Sequence, residues 1–366
     1  MNRVSHLSAA GTDFDGTRLT VARRLRRKTK ATLAREVGIT PTAIAQFEKN
    51  LSKPTHSVLA QICLRLGLPR EFFGAGRPLT LLPASGAHFR SLRSTSAASR
   101  EQALAYGELC LELVDLVSAY VDLPPVSLPE LELPEELTHE GIVDAARLTR
   151  STWDIAPGPL PSVVQMLEAH GIITLRLPVE TDMAVDAFST HSGARPLIFL
   201  SPAKDDKARS RFDAAHELGH LVLHPDTEPG SKLAEQQANQ FAAEFLMPRD
   251  QIIENLPQRI NWSAFHDLKR HWGVSLRALV FRAHSLGRLS EASYRRANQQ
   301  LSAWGHPEPG PLGPAEQPQV LGIARQLIME GGYDFEEILA AGRVAPEVAE
   351  AIMDAASTVR PKLRLT

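Results

Sequence analysis

Two histidines and a glutamate stand close together in the run 205–224, DDKARSRFDAAHELGHLVLH. The run contains no Pro and its apolar residues recur at helical spacing, so it predicts a helix that ends before Pro225. On such a helix His216 and His220 lie on one face, where both imidazoles can bind a single zinc ion. Glu217 lies one position further round and can act as the general base on a water beside the metal. This H-E-x-x-H pattern is typical of metal-assisted peptide hydrolysis, with two histidines packed in a helix core as the alternative.

A catalytic zinc ion needs a third protein ligand and one open position. The next predicted helix, 231–248 with the sequence SKLAEQQANQFAAEFLMP, offers two carboxylates. Glu235 is the predicted ligand, because Asn239 lies one turn further on and can support the site from the same face. Glu244 is the second choice. His224, in phase with the histidine pair at the end of its helix, is the third.

The two runs RFDAAHELGHLVLH and EQQANQFAAEFLMP together resemble the ImmA/IrrE family of zinc metallopeptidases. The resemblance covers about residues 137–300, with GPLP and VDAF before these runs and WGVSLRALVFRAHSLGRLS after them. It implies an α+β, zincin-like fold in which His216, His220 and Glu235 hold Zn2+ and Glu217 is the catalytic base. It also implies a substrate, because the family is associated with cleaving partner transcription repressors and several relatives carry an Xre module in the same chain.

The N-terminal part, residues 17–75, predicts a module of five short helices. Thr29 starts a helix that stops at Gly38, and Thr40 caps the next helix, Pro41–Glu48, whose first position is a proline. Two short helices joined by a turn that contains Gly form a helix-turn-helix, whose second helix enters the major groove of DNA.

The run KTKATLAREVGITPTAIAQFEKNLSKPTHSVLAQICLRLGLPREFF resembles the Xre/Cro-like repressor family. The resemblance implies that exposed residues early in the second helix touch bases: Thr42, Ala45 and Gln46. Lys30 stands where the family often has Gln, so we expect it to bind phosphate, and Ala45 offers only a methyl contact to thymine. The flanking cations are predicted to contact phosphates as a group: Arg23, Arg24, Arg26, Arg27 and Lys28. The alternative is a helix-turn-helix retained only as a protein-protein module.

The charge of the chain changes sign along its length, although the total is only −2. Residues 1–79 hold 14 Lys/Arg against 5 Asp/Glu, whereas residues 101–146 hold 11 Asp/Glu and no Lys or Arg. The basic first part favours a polyanion such as double-stranded DNA, with a solvated basic face as the alternative. An amphipathic helix over 100–121 is expected to turn its acidic face to solvent; docking on the basic module, in competition with DNA, is the alternative.

The length of 366 residues, with 43% apolar and 22% charged residues, predicts a multidomain protein with two or three folded units. The expected boundaries are 15–78 for the all-α five-helix helix-turn-helix domain, 79–136 for the acidic helix and an extended Pro-rich linker, 137–305 for the α+β metallopeptidase domain, and 306–366 for a helical region that begins with a Pro/Gly hinge. Sequence assigns no chemistry to the last region.

A small antiparallel sheet is predicted within the third unit. A strand is expected over 172–177, followed by a hairpin that turns near 192–193. A substrate strand is expected to add to the sheet edge at 185–189. Arg195 and His191 are the nearby candidates for stabilising an oxyanion, with surface side chains as the alternative.

These patterns predict a transcriptional regulator that binds an operator as a homodimer and carries a zinc-dependent endopeptidase, which cleaves an Xre-type repressor. A linker would tether the two activities and raise their effective concentration. The alternative is a transcription factor or antitoxin whose metallopeptidase-like domain is a non-catalytic sensor or interaction module. The longest apolar stretch, 196–202, is too short for a membrane span, and Cys63 and Cys110 cannot build a disulfide framework, so a cytoplasmic protein without a membrane partner is expected.

Overall fold

The computed structural model describes residues 14–82, 96–131, 134, 136–178, 187–190, 195–201, 206–224, 231–305 and 307–354. Three predicted features lie outside these residues: the turn at 192–193, His191, and positions 185 and 186 of the expected substrate edge. Within the described ranges no helix is long and apolar enough to cross a membrane.

The N-terminal unit is built from four α-helices and a short 3-10 helix. They are α1 (Gly16–Leu25), α2 (Lys30–Val37), α3 (Pro41–Glu48), α4 (His56–Leu66) and the 3-10 helix Arg70–Phe73. Thr29 and Thr40 cap α2 and α3 through their side chains, and Gly38 ends α2 in the left-handed region at φ 78°. The predicted helix-turn-helix is confirmed, with a 3-10 helix in the place of a fifth α-helix.

Helix α5 (Ala97–Ser118) packs against α1 through charge pairs. Arg24 Nη1 lies 3.0 Å from Glu108 Oε1, and the buried Arg18 donates to Glu112. Burial raises the pKa of Glu108, although the Arg24 guanidinium beside it acts in the opposite direction. The expectation of a solvated acidic face is wrong for Glu108 and Glu112, because α5 is buried around most of its circumference and these two carboxylates meet arginines of α1, whereas Glu101 and Asp115 are exposed.

The Pro-rich segment 122–131 contains no helix or strand and is attached to the unit that follows. The Ser127 N–H donates to the His170 carbonyl oxygen at 3.1 Å. The Pro-rich segment comes very close to the backbone of Gly171, which is at φ 77°. A Cβ at Gly171 would lie 2.5 Å from the Pro125 carbonyl oxygen. The segment, expected as an extended semi-rigid linker, is therefore packed on the protein.

The middle unit places a three-stranded sheet among helices. In chain order it contains α6 (His139–Thr152), α7 (Val163–Ala169), β1 (Ile173–Arg176), β2 (Phe188–Thr190), β3 (Leu197–Leu200), α8 (Lys207–Leu223), α9 (Lys232–Leu246), α10 (Arg249–Ile252), α11 (Trp262–Trp272), α12 (Leu276–Ser285) and α13 (Glu291–Trp304). The strand order is β1-β3-β2, with Ser189 and Thr174 on either side of Ile198. Strand β2 is antiparallel to β3 but β1 is parallel to it, so the prediction of an antiparallel sheet is wrong for β1. Strand patterns indicate which segments are extended, but they do not fix the direction of a pairing between distant segments.

Both faces of this sheet are covered, as is usual for parallel pairing. On one face Leu197 and Phe199 belong to the same apolar core as α5, where a Cβ at Gly107 would lie 2.8 Å from the Phe199 ring. On the other face Ile198 and Leu200 pack in the core that contains α8 and α9. The helix-turn-helix unit, α5 and the first face of the sheet therefore share one continuous core.

The C-terminal region adds α14 (Val320–Glu330), α15 (Phe335–Ala341) and α16 (Pro346–Asp354) to the core around α5. The segment before α14 is anchored by two carboxylates. Glu308 Oε1 accepts from Lys269 Nζ at 2.6 Å and from the Leu276 N–H at 2.8 Å, and Glu316 Oε2 accepts from the Val163 N–H at 2.8 Å. Because both carboxylates bind N–H groups at helix starts, the Pro/Gly-rich stretch is fixed, and the expectation of a hinge there is wrong.

Replacing Glu112 by Ala is expected to lower the free energy of unfolding by about 3–5 kcal/mol, because the buried Arg18 loses its carboxylate partner. Chemical denaturation measures this change. Asp144→Ala is the matched control: Asp144 pairs with Arg147 at 4.0 Å on the surface, and its loss should cost less than about 1 kcal/mol. Equally small losses in both variants would contradict the description of α5 as a docked helix.

Candidate metal site and DNA-binding surface

Helix α8 carries three of the predicted site residues in its C-terminal half. Asp206 caps its first turn by accepting from the Arg209 N–H at 2.8 Å. His216, Glu217 and His220 are 0, 0 and 1% exposed, so water reaches their side chains little. A buried pair of imidazoles beside a buried carboxylate is costly unless each polar group has a partner.

Helix α9 passes very close to α8 at Gly219, which lies inside the H-E-x-x-H pattern. A Cβ at Gly219 would lie 3.1 Å from Phe241 Cδ1 and 3.2 Å from the Ala238 Cα atom. A Cβ at this position would therefore require the Phe241 ring and the α9 backbone to shift by a few tenths of an ångström. The close approach brings Glu235, in the first turn of α9, to the two histidines of α8.

The three predicted ligands converge on one point. His216 Nε2 and His220 Nε2 are 3.1 Å apart, and each lies 3.3 Å from one oxygen of Glu235. Ligand atoms held at about 2.0–2.1 Å around a tetrahedral ion are about 3.3 Å from one another, so this triangle fits one face of such a site. Among the described residues, these three side chains form a possible metal site.

The hydrogen bonds around the triangle of His216, His220 and Glu235 favour a cation at its centre. Asn239 Nδ2 donates to the Glu235 carbonyl oxygen at 2.8 Å, so its Oδ1 faces His216 Nδ1 at 3.1 Å as an acceptor. A neutral His216 therefore carries its proton on Nδ1 and a lone pair on Nε2. Burial raises the pKa of Glu235, but contacts with the His216 and His220 rings outweigh burial and hold that pKa well below its usual range. A charged carboxylate and ring lone pairs at this spacing repel one another unless a proton or a metal ion lies between them.

Glu217 lies beside the triangle and is held by the sheet. Its Oε2 accepts a hydrogen bond from Ser189 Oγ at 2.8 Å, and both side chains are buried. Ser189 is the middle residue of β2, whereas its neighbour Phe188 packs in the core on the other face of the sheet. Sequence reasoning placed Ser189 only at a substrate edge. The alternation of side chains along a strand is the signal that could have directed it towards α8.

The two alternative ligands have other partners. Glu244 is buried and forms an ion pair with Arg282. His224 follows the last residue of α8, with its Nδ1 3.2 Å from His220 Nδ1 and its Nε2 2.8 Å from Gln237 Oε1. Burial lowers the pKa of His224. Neither residue is part of the triangle, and Gln237 is a contact that sequence patterns did not indicate.

Arg195 contacts the Pro-rich segment. Its Nη1 donates to the Pro124 carbonyl oxygen at 2.5 Å, and its Nη2 reaches the Leu123 carbonyl oxygen at 3.5 Å. The guanidinium therefore fixes the Pro-rich segment, and these contacts do not support Arg195 as a candidate for stabilising an oxyanion. His191, the other candidate, lies outside the described residues.

Helix α3 presents polar side chains to solvent. Thr42 and Gln46 are exposed, and Ala45 between them is half-buried. Lys30, at the start of α2, has its Nζ 3.2 Å from Glu48 Oε2 and is also partly exposed. These positions leave the predicted base-contacting residues accessible to a DNA groove.

Two of the flanking arginines are occupied inside the protein. Arg23 Nε lies 2.5 Å from Glu48 Oε1, and Arg24 pairs with Glu108 of α5. The prediction that all flanking cations contact phosphate as a group therefore needs correction. Because their charges are balanced by carboxylates of the protein, Arg23 and Arg24 position helices of the module instead.

The remaining flanking cations are closer to solvent. Arg26 Nε donates to the Leu66 carbonyl oxygen at 2.7 Å, and Lys28 Nζ lies 2.5 Å from Glu36 Oε2. Arg27 is exposed in the left-handed region at φ 53°. Arg27 remains a candidate phosphate contact. Lys28 and Lys30 also pair with carboxylates, Glu36 and Glu48, but they stay candidates because their side chains are 22% and 42% exposed, more than those of Arg23 and Arg24.

The fold and the two sites define a DNA-binding regulator that carries a peptidase-like domain. A family model for helix-turn-helix domains matches residues 21–73, and a family model described as the IrrE N-terminal-like domain matches residues 167–284. Residues 21–73 are thus similar to Xre-type helix-turn-helix domains and residues 167–284 to ImmA/IrrE-like domains, as both resemblances predicted. No curated protein matches the chain significantly.

Proposed function

We propose that this DNA-binding regulator is a zinc-dependent endopeptidase that cleaves a repressor-like protein, with an Xre-type repressor as the substrate. The observation that carries the proposal is the convergence of His216, His220 and Glu235 beside the carboxylate of Glu217. Two imidazoles and one carboxylate are a ligand set of catalytic zinc sites, which keep a fourth position open. A zinc ion in such a site supplies Lewis acidity to the scissile carbonyl and makes water more acidic.

Glu217 supplies the proton transfers. It takes a proton from the attacking water and later gives it to the leaving amine, which is the role of a general base and acid. Its hydrogen bond from Ser189 holds one carboxylate oxygen and so limits the orientations of the side chain. His216 and His220 hold the metal from the same helix, so the base and the ligands keep a fixed spacing.

The edge strand β2 supplies a docking place for the substrate. It lies at one end of the strand order, and Ser189 at its centre contacts Glu217. The β2 residues 188–190 are 0–1% exposed, so an extended peptide has to displace what covers this edge before it gains backbone hydrogen bonds there, with little demand on its sequence. The peptide would thereby pass the carboxylate that acts on it.

The DNA-binding unit would select where cleavage takes place. Thr42, Ala45 and Gln46 of α3 face base edges, while Arg27, Lys28 and Lys30 contact phosphates. Because α5 joins this unit to the sheet, an operator-bound chain would hold the peptidase site at a fixed position. A homodimer would read a palindromic operator.

Changing Glu235 to Gln is expected to weaken zinc binding by more than about 100-fold, because it removes the charged ligand rather than an outer partner. Competition with a chromophoric chelator measures the affinity. Glu244→Gln, on the same helix, should leave the affinity unchanged, because that side chain contacts Arg282 and not the histidines. Zinc binding that survives in Glu235→Gln and is lost in Glu244→Gln would reverse the ligand assignment.

Changing Glu217 to Gln is expected to slow cleavage by about 10²- to 10⁴-fold while one zinc ion stays bound. The assay incubates the full-length protein and zinc with Xre-type repressors encoded beside it, and metal analysis accompanies each variant. Glu140→Gln, an exposed change in α6, is the control and should cleave at the normal rate. DNA binding and repression that persist in His216→Ala, with no cleavage by the unchanged protein, would favour the non-catalytic sensor instead.

Changing Gln46 to Ala is expected to reduce affinity for a selected operator by about 1–3 kcal/mol, because an exposed amide of α3 is lost from a base edge. Lys30→Ala should weaken binding to all sequences and lower the salt dependence by about one phosphate contact. Fluorescence anisotropy at several salt concentrations separates the two effects. Gln61→Ala, exposed on α4, is the control, and an equal loss there would argue against α3 as the reading helix.

A further inference from the structure

Behind the metal-facing side of His220 lies a second pair of polar side chains. His224 stands one helical turn after His220, and their Nδ1 atoms are 3.2 Å apart. On its other side His224 Nε2 lies 2.8 Å from Gln237 Oε1, an amide of α9. All three side chains are buried.

Gln237, at the end of the row His220–His224–Gln237, determines which ring nitrogens donate and which accept. An amide oxygen accepts hydrogen bonds and does not donate them, so His224 Nε2 carries the proton that binds Gln237. A neutral imidazole carries one proton, and therefore His224 Nδ1 is an acceptor. The proton between the two rings then belongs to His220 Nδ1, which leaves a lone pair on His220 Nε2.

We propose that His224 and Gln237 are positioning residues that fix the tautomer of His220, so that its Nε2 always presents a lone pair to the metal. The proposal rests on the metal site put forward above. It assigns a use to a buried histidine and a buried glutamine that the proposed reaction itself does not employ.

The other metal-facing histidine has an independent counterpart. Asn239 binds His216 Nδ1 with its oxygen while its Nδ2 donates to the Glu235 carbonyl oxygen. Two amides of α9 thus set the proton positions of both histidines, and the same helix supplies the carboxylate ligand. The amide on His216 acts directly, whereas the amide on His220 acts through the ring of His224.

The row His220–His224–Gln237 lowers the free-energy cost of metal binding, because it keeps His220 in the tautomer that can bind a metal. Without an acceptor at position 237, His224 can turn its lone pair or its proton towards His220, and His220 then populates the tautomer with its proton on Nε2. That tautomer cannot bind a metal until it loses or moves the proton. Outer partners of this kind typically contribute about 10- to 100-fold to metal affinity.

The first test determines which ring nitrogens of His220 and His224 carry protons in the metal-free, full-length protein. Long-range 1H–15N correlation spectra of histidine-labelled protein distinguish the two neutral tautomers of each ring. The expected result is a proton on Nδ1 of His220 and on Nε2 of His224 in the unchanged protein. A proton on His220 Nε2 would overturn the proposal, and this result needs no variant to fold.

The second test measures zinc affinity in a double-mutant cycle. Gln237→Leu and His224→Phe are each expected to weaken zinc binding by about 10- to 100-fold, and the double variant no further than the weaker-binding single one. Gln236→Leu, the exposed neighbour on α9, is the matched control.

The outcomes separate this proposal from the proposed function. Normal zinc affinity in Gln237→Leu, or losses of zinc affinity that simply add in the double variant, would overturn the proposal that His224 and Gln237 fix the tautomer of His220. Either result would leave the assignment of the zinc ligands intact. Failure of both the unchanged protein and Gln236→Leu to bind zinc would overturn the metal site itself. The spectra of the metal-free protein would then still decide the proton positions.

Discussion

The close approach of α8 and α9 is the constraint on which the site depends. At Gly219 the backbone of α9 comes so near that a Cβ would meet Ala238 and Phe241 at 3.1–3.2 Å. Two helices at this distance can place His216, His220 and Glu235 around one point, although the histidines and the glutamate come from different elements. Because α9 also carries the amides behind both rings, a shift of this one helix would disturb ligand and proton positions together.

The sheet connects this helix pair to the DNA-binding unit. Arg24 of α1 pairs with Glu108 of α5, and the neighbouring Gly107 lies against Phe199 of β3. The Phe199 ring stacks on Phe188 at 4.3 Å, and the next residue of β2 holds the catalytic-base candidate. These contacts make an unbroken packed path from α1 to Glu217. A DNA-binding unit that is packed in this way does not sample the volume that a flexible linker would allow. The effective concentration calculated for linked modules therefore does not apply to it.

Local patterns in the sequence predicted the parts of the protein that local chemistry determines. The caps Thr29 and Thr40 and the stop at Gly38 gave the bounds of the helix-turn-helix, and the spacing of His216 and His220 gave their shared face. Features that depend on contacts distant in sequence were not accessible. The parallel pairing of β1 is one of these features.

The errors in side-chain roles have a similar origin. Glu244 and Arg23 are ordinary charged residues in the sequence, and only the fold brings Arg282 to one and Glu48 to the other. A charge pattern predicts a solvated acidic face for α5, because the pattern does not show which other surface of the protein the helix contacts. The helical phase that makes His224 the third choice of ligand cannot indicate that Gln237, an amide of another helix, contacts its ring.

The docking of α5 also changes how the charge of the chain should be interpreted. An excess of Lys and Arg in residues 1–79 favours a polyanion, yet Arg18 and Arg24 are balanced by carboxylates of α5, and Arg23 by Glu48. These buried pairs contribute little to the field that DNA experiences, because each arginine lies against an opposite charge. Thr42 and Gln46 remain exposed, so the acidic helix neutralises α1 without covering the reading helix. Affinity for DNA should therefore depend on a few exposed cations near α2, with a weaker salt dependence than the cation count of the module suggests.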